Sequence, residues 1–282
     1  MSKVALVTDS TTYFPKELVE KYHIHIAPQV LIWGEQIFED GVDIQPVEFY
    51  TRLKTATVMP TTSQVTIPYF QKLFDRLLAE GCDILAILIS SKLSGTIDSA
   101  IQARNDLPNA PIEIVDSKSI AMALGFQVLT VARAIQEGAN LAEAKALAEK
   151  LLDTTGVVFA VDTLEFLHRG GRIGGGKRFL GTALSIKPIL ELREGRVEAV
   201  EQVRTRKKSL LRLVEIVEER IDNRKPVRLA TLHANAPEDA KEVLVEASKR
   251  IETVEQVFSE VSPVVGTHAG PGTVGLAYMV GV

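Results

Sequence analysis

Residues 84–89 read Ile-Leu-Ala-Ile-Leu-Ile and run straight into Ser90-Ser91-Lys92-Leu93-Ser94-Gly95-Thr96. An apolar run without polar alternation suits a strand covered on both faces, as in a parallel sheet flanked by helices. The polar turn leads into a helix expected over about 96–105, which makes the stretch a βα unit. Outward from it, residues 3–8 and 112–115 read as further short strands, and 24–33 as an extended segment. A helix is expected from Pro15 to Glu20, and Pro46 opens another, because the missing N–H costs nothing in a first helical turn. Between about 68 and 80, Phe70, Leu73, Phe74, Leu77 and Leu78 recur at helical spacing. Long helices are expected over 119–137 and 141–153.

The pattern changes after about Gly156. Strand-like runs at 156–161 and 186–192 flank a glycine-rich loop, and 196–203 completes a hairpin after Glu194-Gly195. Helices are expected over 206–223 and 238–250, and strands over 226–232, 254–262 and 274–280. The fold class is therefore α/β in two lobes. Residues 1–156 form an N-terminal parallel βαβ (Rossmann-like) lobe, and residues 157–282 a C-terminal mixed α/β lobe packed against it.

Composition narrows the function classes. A 282-residue chain that is 46% hydrophobic and 24% charged can bury a sizeable core. Its net charge of −4 gives no bulk attraction to nucleic acid or anionic lipid. Aromatics are 6% and do not interleave with the basic clusters, which argues against base stacking. Cys82 is the only cysteine, so no internal disulfide and no cysteine-rich metal site is expected. The apolar run at Val4–Val7 is too short for a signal peptide, and no run approaches the ~18–20 residues of a membrane span. The expected location is the cytoplasm.

Three polar loops interrupt this apolar framework: Thr61-Thr62-Ser63-Gln64, the Ser90–Thr96 turn, and Gly266-Thr267-His268-Ala269-Gly270-Pro271-Gly272-Thr273. Ligands of open parallel sheets bind beyond the carboxyl ends of the strands, where helix N-termini and hydroxyls favour an anion or carboxyl group. Ser94 serves equally as a helix cap on spacing alone. His268 can donate to a carboxylate or titrate near neutrality, although a lone loop histidine is more often structural. Asp9 and Asp116 follow strands and fit capping or turn roles as readily as catalytic ones.

Enzyme readings fit less well. The Ser94 turn lacks the first glycine of a Gly-x-Ser-x-Gly elbow, and no base can be assigned to it. Residues 171–177 match phosphate-loop spacing up to Lys177, but Arg178 stands where Ser or Thr should reach magnesium. A stand-alone hydrolase or phosphotransferase using Ser94 or the 171–177 loop is the alternative function. Basic residues gather at Arg169, Arg172, Lys177 and Arg178, and again at Arg204 and Arg206. They read either as solvated surface or as a docking face for an acidic or phosphate-bearing partner.

Taken together, these loops resemble the DegV family of bacterial lipid-binding proteins over essentially the whole chain. The matching residues are Val7-Thr8-Asp9-Ser10, Thr62-Ser63-Gln64, Ser94-Gly95-Thr96 with Ser99, and Asp116-Ser117. Further on come Phe166-Leu167-His168-Arg169-Gly170-Gly171-Arg172-Ile173, Lys187-Pro188 and His268-Ala269-Gly270-Pro271-Gly272. Each is weak alone, but their order and spacing together are specific.

The resemblance implies a long-chain fatty acid such as palmitate, stearate or oleate held between the lobes. Its carboxyl group would meet Thr62 and Ser94, supported by Ser63, Gly95, Thr96, His268 and an arginine near Arg204, with Arg206 two residues on. It implies no cofactor, no metal and no catalytic residue in this chain. Some family members present the acyl carboxyl to a separate ATP-binding fatty-acid kinase subunit. A lipid sensor whose basic clusters dock another protein when loaded shares the same ligand. One departure is visible: Val65-Thr66 follow Thr-Ser-Gln where the family usually has Pro-Ser, which puts the rigidity of that loop in question.

The energetics suit a lipid. A sixteen-carbon acid buries about fourteen methylenes, or roughly 11 kcal/mol of gross driving force. Several kcal/mol are lost in ordering the chain and in lost overall freedom. A buried carboxylate needs a partner, so either His268 assists or the acid binds protonated.

Overall fold

The computed structural model describes residues 3–181 and 186–282. The strands are β1 (Lys3–Asp9), β2 (His25–Ala27), β3 (Val30–Trp33), β4 (Gln36–Glu39), β5 (Thr61–Ser63), β6 (Cys82–Leu88) and β7 (Ile112–Asp116). They continue as β8 (Thr155–Ala160), β9 (Lys187–Arg193), β10 (Arg196–Val203), β11 (Val227–His233), β12 (Glu255–Glu260) and β13 (Val274–Val280). The first helices are α1 (Lys16–Tyr22), α2 (Pro46–Leu53), α3 (Ile67–Ala79), α4 (Thr96–Asn105) and α5 (Ala121–Gln136). After them come α6 (Leu141–Lys150), α7 (Glu165–Arg169), α8 (Arg206–Ile221), α9 (Pro237–Arg250) and α10 (Pro263–Ala269).

Three sheets organise the chain. β2-β1-β6-β7 is parallel throughout, as the apolar runs require. β10-β9-β8-β13-β11-β12 is mixed, with only the β11–β12 pair parallel. A small antiparallel sheet, β4-β3-β5, stands beside them. The α/β class read from the sequence is the one observed.

Helix α5 lies between the two large sheets, contacting β1 and β6 on one side and β8, β11 and β13 on the other. Eleven of its sixteen residues are buried; a helix that is apolar nearly all round needs such cover. One apolar cluster therefore runs from Leu6, Leu85 and Ile87 through Met122 and Phe126 to Leu232, Ala277 and Met279. No helix among the described residues is long and apolar enough to cross a membrane.

Some elements differ from the sequence expectations. Residues 61–63 are a strand, paired with Val30–Ile32, because the partner needed to recognise so short a strand lies some thirty residues away. The extended segment 24–33 is two strands, interrupted at Pro28-Gln29. The glycine-rich stretch from Gly266 begins as a helix, because Ser262 caps α10 and Pro263 occupies its first turn. Gly266 is tolerated there since a side chain would overlap the Tyr50 hydroxyl.

Candidate functional site

The carboxyl ends of β1 and β6 define one wall of a cleft between the large sheets. Asp9 closes β1: its carboxylate accepts the Thr11 N–H at 3.1 Å, the Thr11 hydroxyl at 2.5 Å and the Ile89 N–H at 2.7 Å. It is a buried turn-former; Asp116, only half-buried, shapes its own turn by accepting the Ser91 hydroxyl and the Lys118 N–H.

Ser94 sits in the turn between β6 and α4. Its hydroxyl lies 2.9 Å from Thr96 Oγ1 and donates to Gln29 Oε1 at 3.4 Å. Gln29 Nε2 donates to Thr96 Oγ1 at 2.9 Å, so the three polar groups form one buried knot. Gly95 is the residue before α4, and the Gln64 amide packs close enough that a Cβ there would sit 3.3 Å from it. Thr96 also accepts the Val65 N–H, at 3.4 Å, which a proline at 65 could not donate. Val65 is fully buried and Thr66 caps α3. The loop is thus held without the proline the family usually has.

Thr62 approaches from the small sheet. Its Oγ1 lies 2.7 Å from Nε2 of His268 on α10. His268 Nδ1 is buried without a partner. Burial, reinforced by the Arg172 charge, pushes its pKa down to about 4, so the imidazole is neutral at pH 7. Arg172 is anchored over the same region: its Nε donates to Leu93 O at 3.0 Å and its Nη1 to Gly170 O at 2.7 Å.

Thr62, Ser63, Gln64, Ser94, Arg172 and His268 all line one cavity, whose empty space is about 850 Å³ with its open mouth included. Away from this polar end the wall is largely apolar and comes from both sides of the cleft. Ile89, Leu93 and Ile120 face Val157, Phe159, Leu192, Leu232, Val261 and Val264. A second depression outside shares Thr62, Arg172 and His268 with the cavity and adds Met59, Phe166 and Arg169.

Not every residue singled out in the sequence reaches this place. Arg204 is exposed and does not line the cavity. Arg206 pairs with Asp239 at 2.7 Å and donates to Gly272 O at 2.6 Å. The arginine at the polar end is instead Arg172, assigned from the sequence to a docking surface. Arg169 pairs with Glu165, and Arg178 with the Ala199 carbonyl; Lys177 is exposed. Gln29 escaped the sequence reading altogether, since 65 residues separate it from Ser94.

The enzyme alternatives find little support. The hydroxyl partners of Ser94 are Gln29 and Thr96, neither of them a base. Gly174 and Gly175 pack directly on Val197 and Glu198 of β10, which accounts for small residues there without a phosphate. No metal-binding cluster of His, Cys, Asp or Glu occurs among the described residues.

Comparison with known proteins gives this geometry a context. The model of the DegV family, described as uncharacterised protein, matches residues 3–280. The chain belongs to the DegV family. It is 35% identical to Protein DegV of Bacillus subtilis over 277 residues, 98% of each chain. It is 38% identical to a DegV domain-containing protein of Streptomyces coelicolor over 275 residues, 97% of each. Among solved structures, a fatty-acid-binding DegV family protein from Thermus thermophilus superposes with a TM-score of 0.92 at 34% identity. That comparison covers 99% of this chain and 100% of the other. DegV of Bacillus subtilis, a fatty acid binding protein, gives 0.88 at 34% identity, covering 99% and 100%. The two solved relatives are thus fatty-acid-binding proteins with the same fold.

Proposed function

We propose that this chain binds a long-chain fatty acid such as palmitate, stearate or oleate in the inter-sheet cavity, and performs no covalent chemistry on it alone. One observation carries the reading: Thr62 and Ser94 line the polar end of a single cavity whose remaining wall is largely apolar. The acyl tail replaces water along that wall, and the carboxyl group meets the hydroxyls. Residues 1–156 and 157–282 then act as two lobes of one binding unit.

A neutral His268 shapes the head-group chemistry. With its proton on Nε2 it donates to Thr62 Oγ1, leaving the threonine proton free for a carboxylate oxygen. With its proton on Nδ1, Nε2 consumes that threonine proton instead. Ligand binding favours the first tautomer. The Ser94 hydroxyl becomes a second donor by turning its proton from the long 3.4 Å bond to Gln29 towards the ligand, and Arg172 supplies the positive charge that a buried carboxylate requires.

The shared outer depression supports a further step. It brings Thr62 and His268 within reach from outside, so a bound carboxyl could be presented to an ATP-binding kinase subunit for acyl-phosphate formation. Arg169 and Arg172 stand there for the phosphates.

Extraction of purified protein with organic solvent, followed by mass spectrometry, should recover long-chain acids. Oleate labelled at the carboxyl should acquire phosphate from ATP only when the kinase subunit is added. Failure to retain or take up any fatty acid would overturn the binding reading. Phosphorylation by the isolated chain would overturn its non-catalytic role.

A further inference from the structure

Asp40 is a fully buried carboxyl group outside the cavity, 1% exposed, just after β4. Its Oδ1 accepts the Val264 N–H at 3.0 Å, and its Oδ2 accepts the Ser10 hydroxyl at 2.6 Å. Each bond opens onto a different half of the polar end. Val264 lies in the first turn of α10, and His268 is one helical turn further on the same face. Ser10 Oγ also accepts the Gln29 N–H at 3.0 Å. The Gln29 side chain holds Thr96 at 2.9 Å and Ser94 at 3.4 Å. A continuous path therefore runs from Ser94 through Gln29, Ser10 and Asp40 to α10, His268 and Thr62.

Resting on the fatty-acid reading, we infer that Asp40 is a positioning residue for the ligand carboxyl. It holds the His268–Thr62 arm in register with the Ser94–Thr96 arm. α10 has only seven residues and cannot hold its own place. Its first N–H groups need acceptors from outside the helix. Ser262 serves Val265 at 3.4 Å and Asp40 serves Val264. The Ser262 side chain also reaches Asp40, but only Asp40 goes on to Ser10 and the opposite arm.

A buried carboxylate is costly unless fully engaged. Burial, with Asp9 nearby, pushes Asp40 up to about 6, so at pH 7 it is largely ionised and both of its bonds are charge-assisted. An amide at this position keeps the volume but removes the charge: its nitrogen only donates, so the Ser10 bond survives only in reverse and neither bond is charge-assisted.

The test compares oleate with oleyl alcohol, which shares the tail and lacks the carboxyl group. Wild type, Asp40→Asn and Ser262→Ala are assayed for both ligands by equilibrium displacement of a fluorescent fatty acid at pH 7. Asp40→Asn should weaken oleate about tenfold, as for charge-assisted bonds turned neutral, and move the alcohol by less than about twofold. Ser262→Ala removes the α10 cap and one contact to Asp40 but leaves the Asp40–Ser10 bond, so it should change the preference for acid over alcohol less than Asp40→Asn does. Should Asp40→Asn not fold, Ser10→Ala breaks the same path and should narrow that preference by about threefold.

Equal weakening of both ligands, or an unchanged preference in the folded variant, would overturn the positioning role. So would an effect of Ser262→Ala as large as that of Asp40→Asn. Wild-type protein that binds neither ligand would overturn the fatty-acid reading itself, which is a separate failure.

Discussion

Thr62 Oγ1 lies 2.7 Å from His268 Nε2, a contact between residues 206 positions apart in the chain. It joins the short strand β5 to helix α10 and so ties the first third of the sequence to its last twenty residues. Both groups face the cavity, and the contact gives the threonine a defined orientation that a free hydroxyl lacks.

Removing either hydroxyl should weaken the head-group contact and leave the apolar wall intact. Thr62→Ala and Ser94→Ala are each expected to cost about 1–2 kcal/mol of oleate affinity. Isothermal titration should show the loss in both single variants and a larger one in the double variant. Unchanged affinity in the double variant would show that the carboxyl group sits elsewhere.

Gly170 has an ordinary negative φ, so its lack of a side chain is not a backbone requirement. A Cβ there would overlap His268 Nδ1. Gly170→Ala should push the imidazole off Thr62 and lower folding stability by about 1–3 kcal/mol, as overpacking does. Oleate affinity should fall with it, read by the same titration; wild-type affinity would mean the ring is not needed where it stands.

Arg172 and Arg204 make a direct comparison. Arg172 lines the cavity, half-buried, while Arg204 is exposed. Arg172→Gln should weaken oleate by about tenfold or more through loss of a charge partner, whereas Arg204→Gln should stay within about 0.5 kcal/mol of wild type. The reverse ranking would return the head group to the region first read from the sequence.

Acid should reveal the buried histidine. The pKa of His268 is pushed down to about 4, mainly by burial, while an unfolded histidine titrates near ~6.5. Between those values the unfolded chain binds a proton that the folded protein refuses. The contribution of His268 is thus whole above the unfolded value and is lost as pH falls towards about 4. Asp40, pushed up to about 6 by burial, works in the opposite sense: as pH falls below that value, the folded state takes up the proton first. His268→Gln separates the two. In urea unfolding, wild type should lose more stability between about pH 7 and 5 than the variant does; equal losses would contradict the depressed histidine.

Much of the architecture was legible without coordinates. The unbroken apolar run at 84–89 demanded a doubly covered parallel strand, and the helical spacing of Phe70, Leu73, Phe74 and Leu77 recurs as the buried face of α3. Both signals are local: burial on two faces and a period of 3.6 are written along the chain itself. The strand 61–63 and helix α10 were not legible, since three hydroxyl residues carry no alternation and the glycines after Ser262-Pro263 masked a helix start.

By itself, the sequence determined the α/β class and marked the three polar stretches that carry Thr62, Ser94 and His268, because periodicity and turns depend on neighbouring residues. Two of those stretches are a strand and a helix where loops were expected. Only the tertiary structure decided which distant groups complete the polar end. It placed Arg172 at the cavity in place of Arg204, drew Gln29 beneath Ser94, and set Asp40 between Ser10 and Val264. Such contacts depend on how sheets and helices stack, and no spacing along the chain encodes a side chain's direction once another element is packed against it.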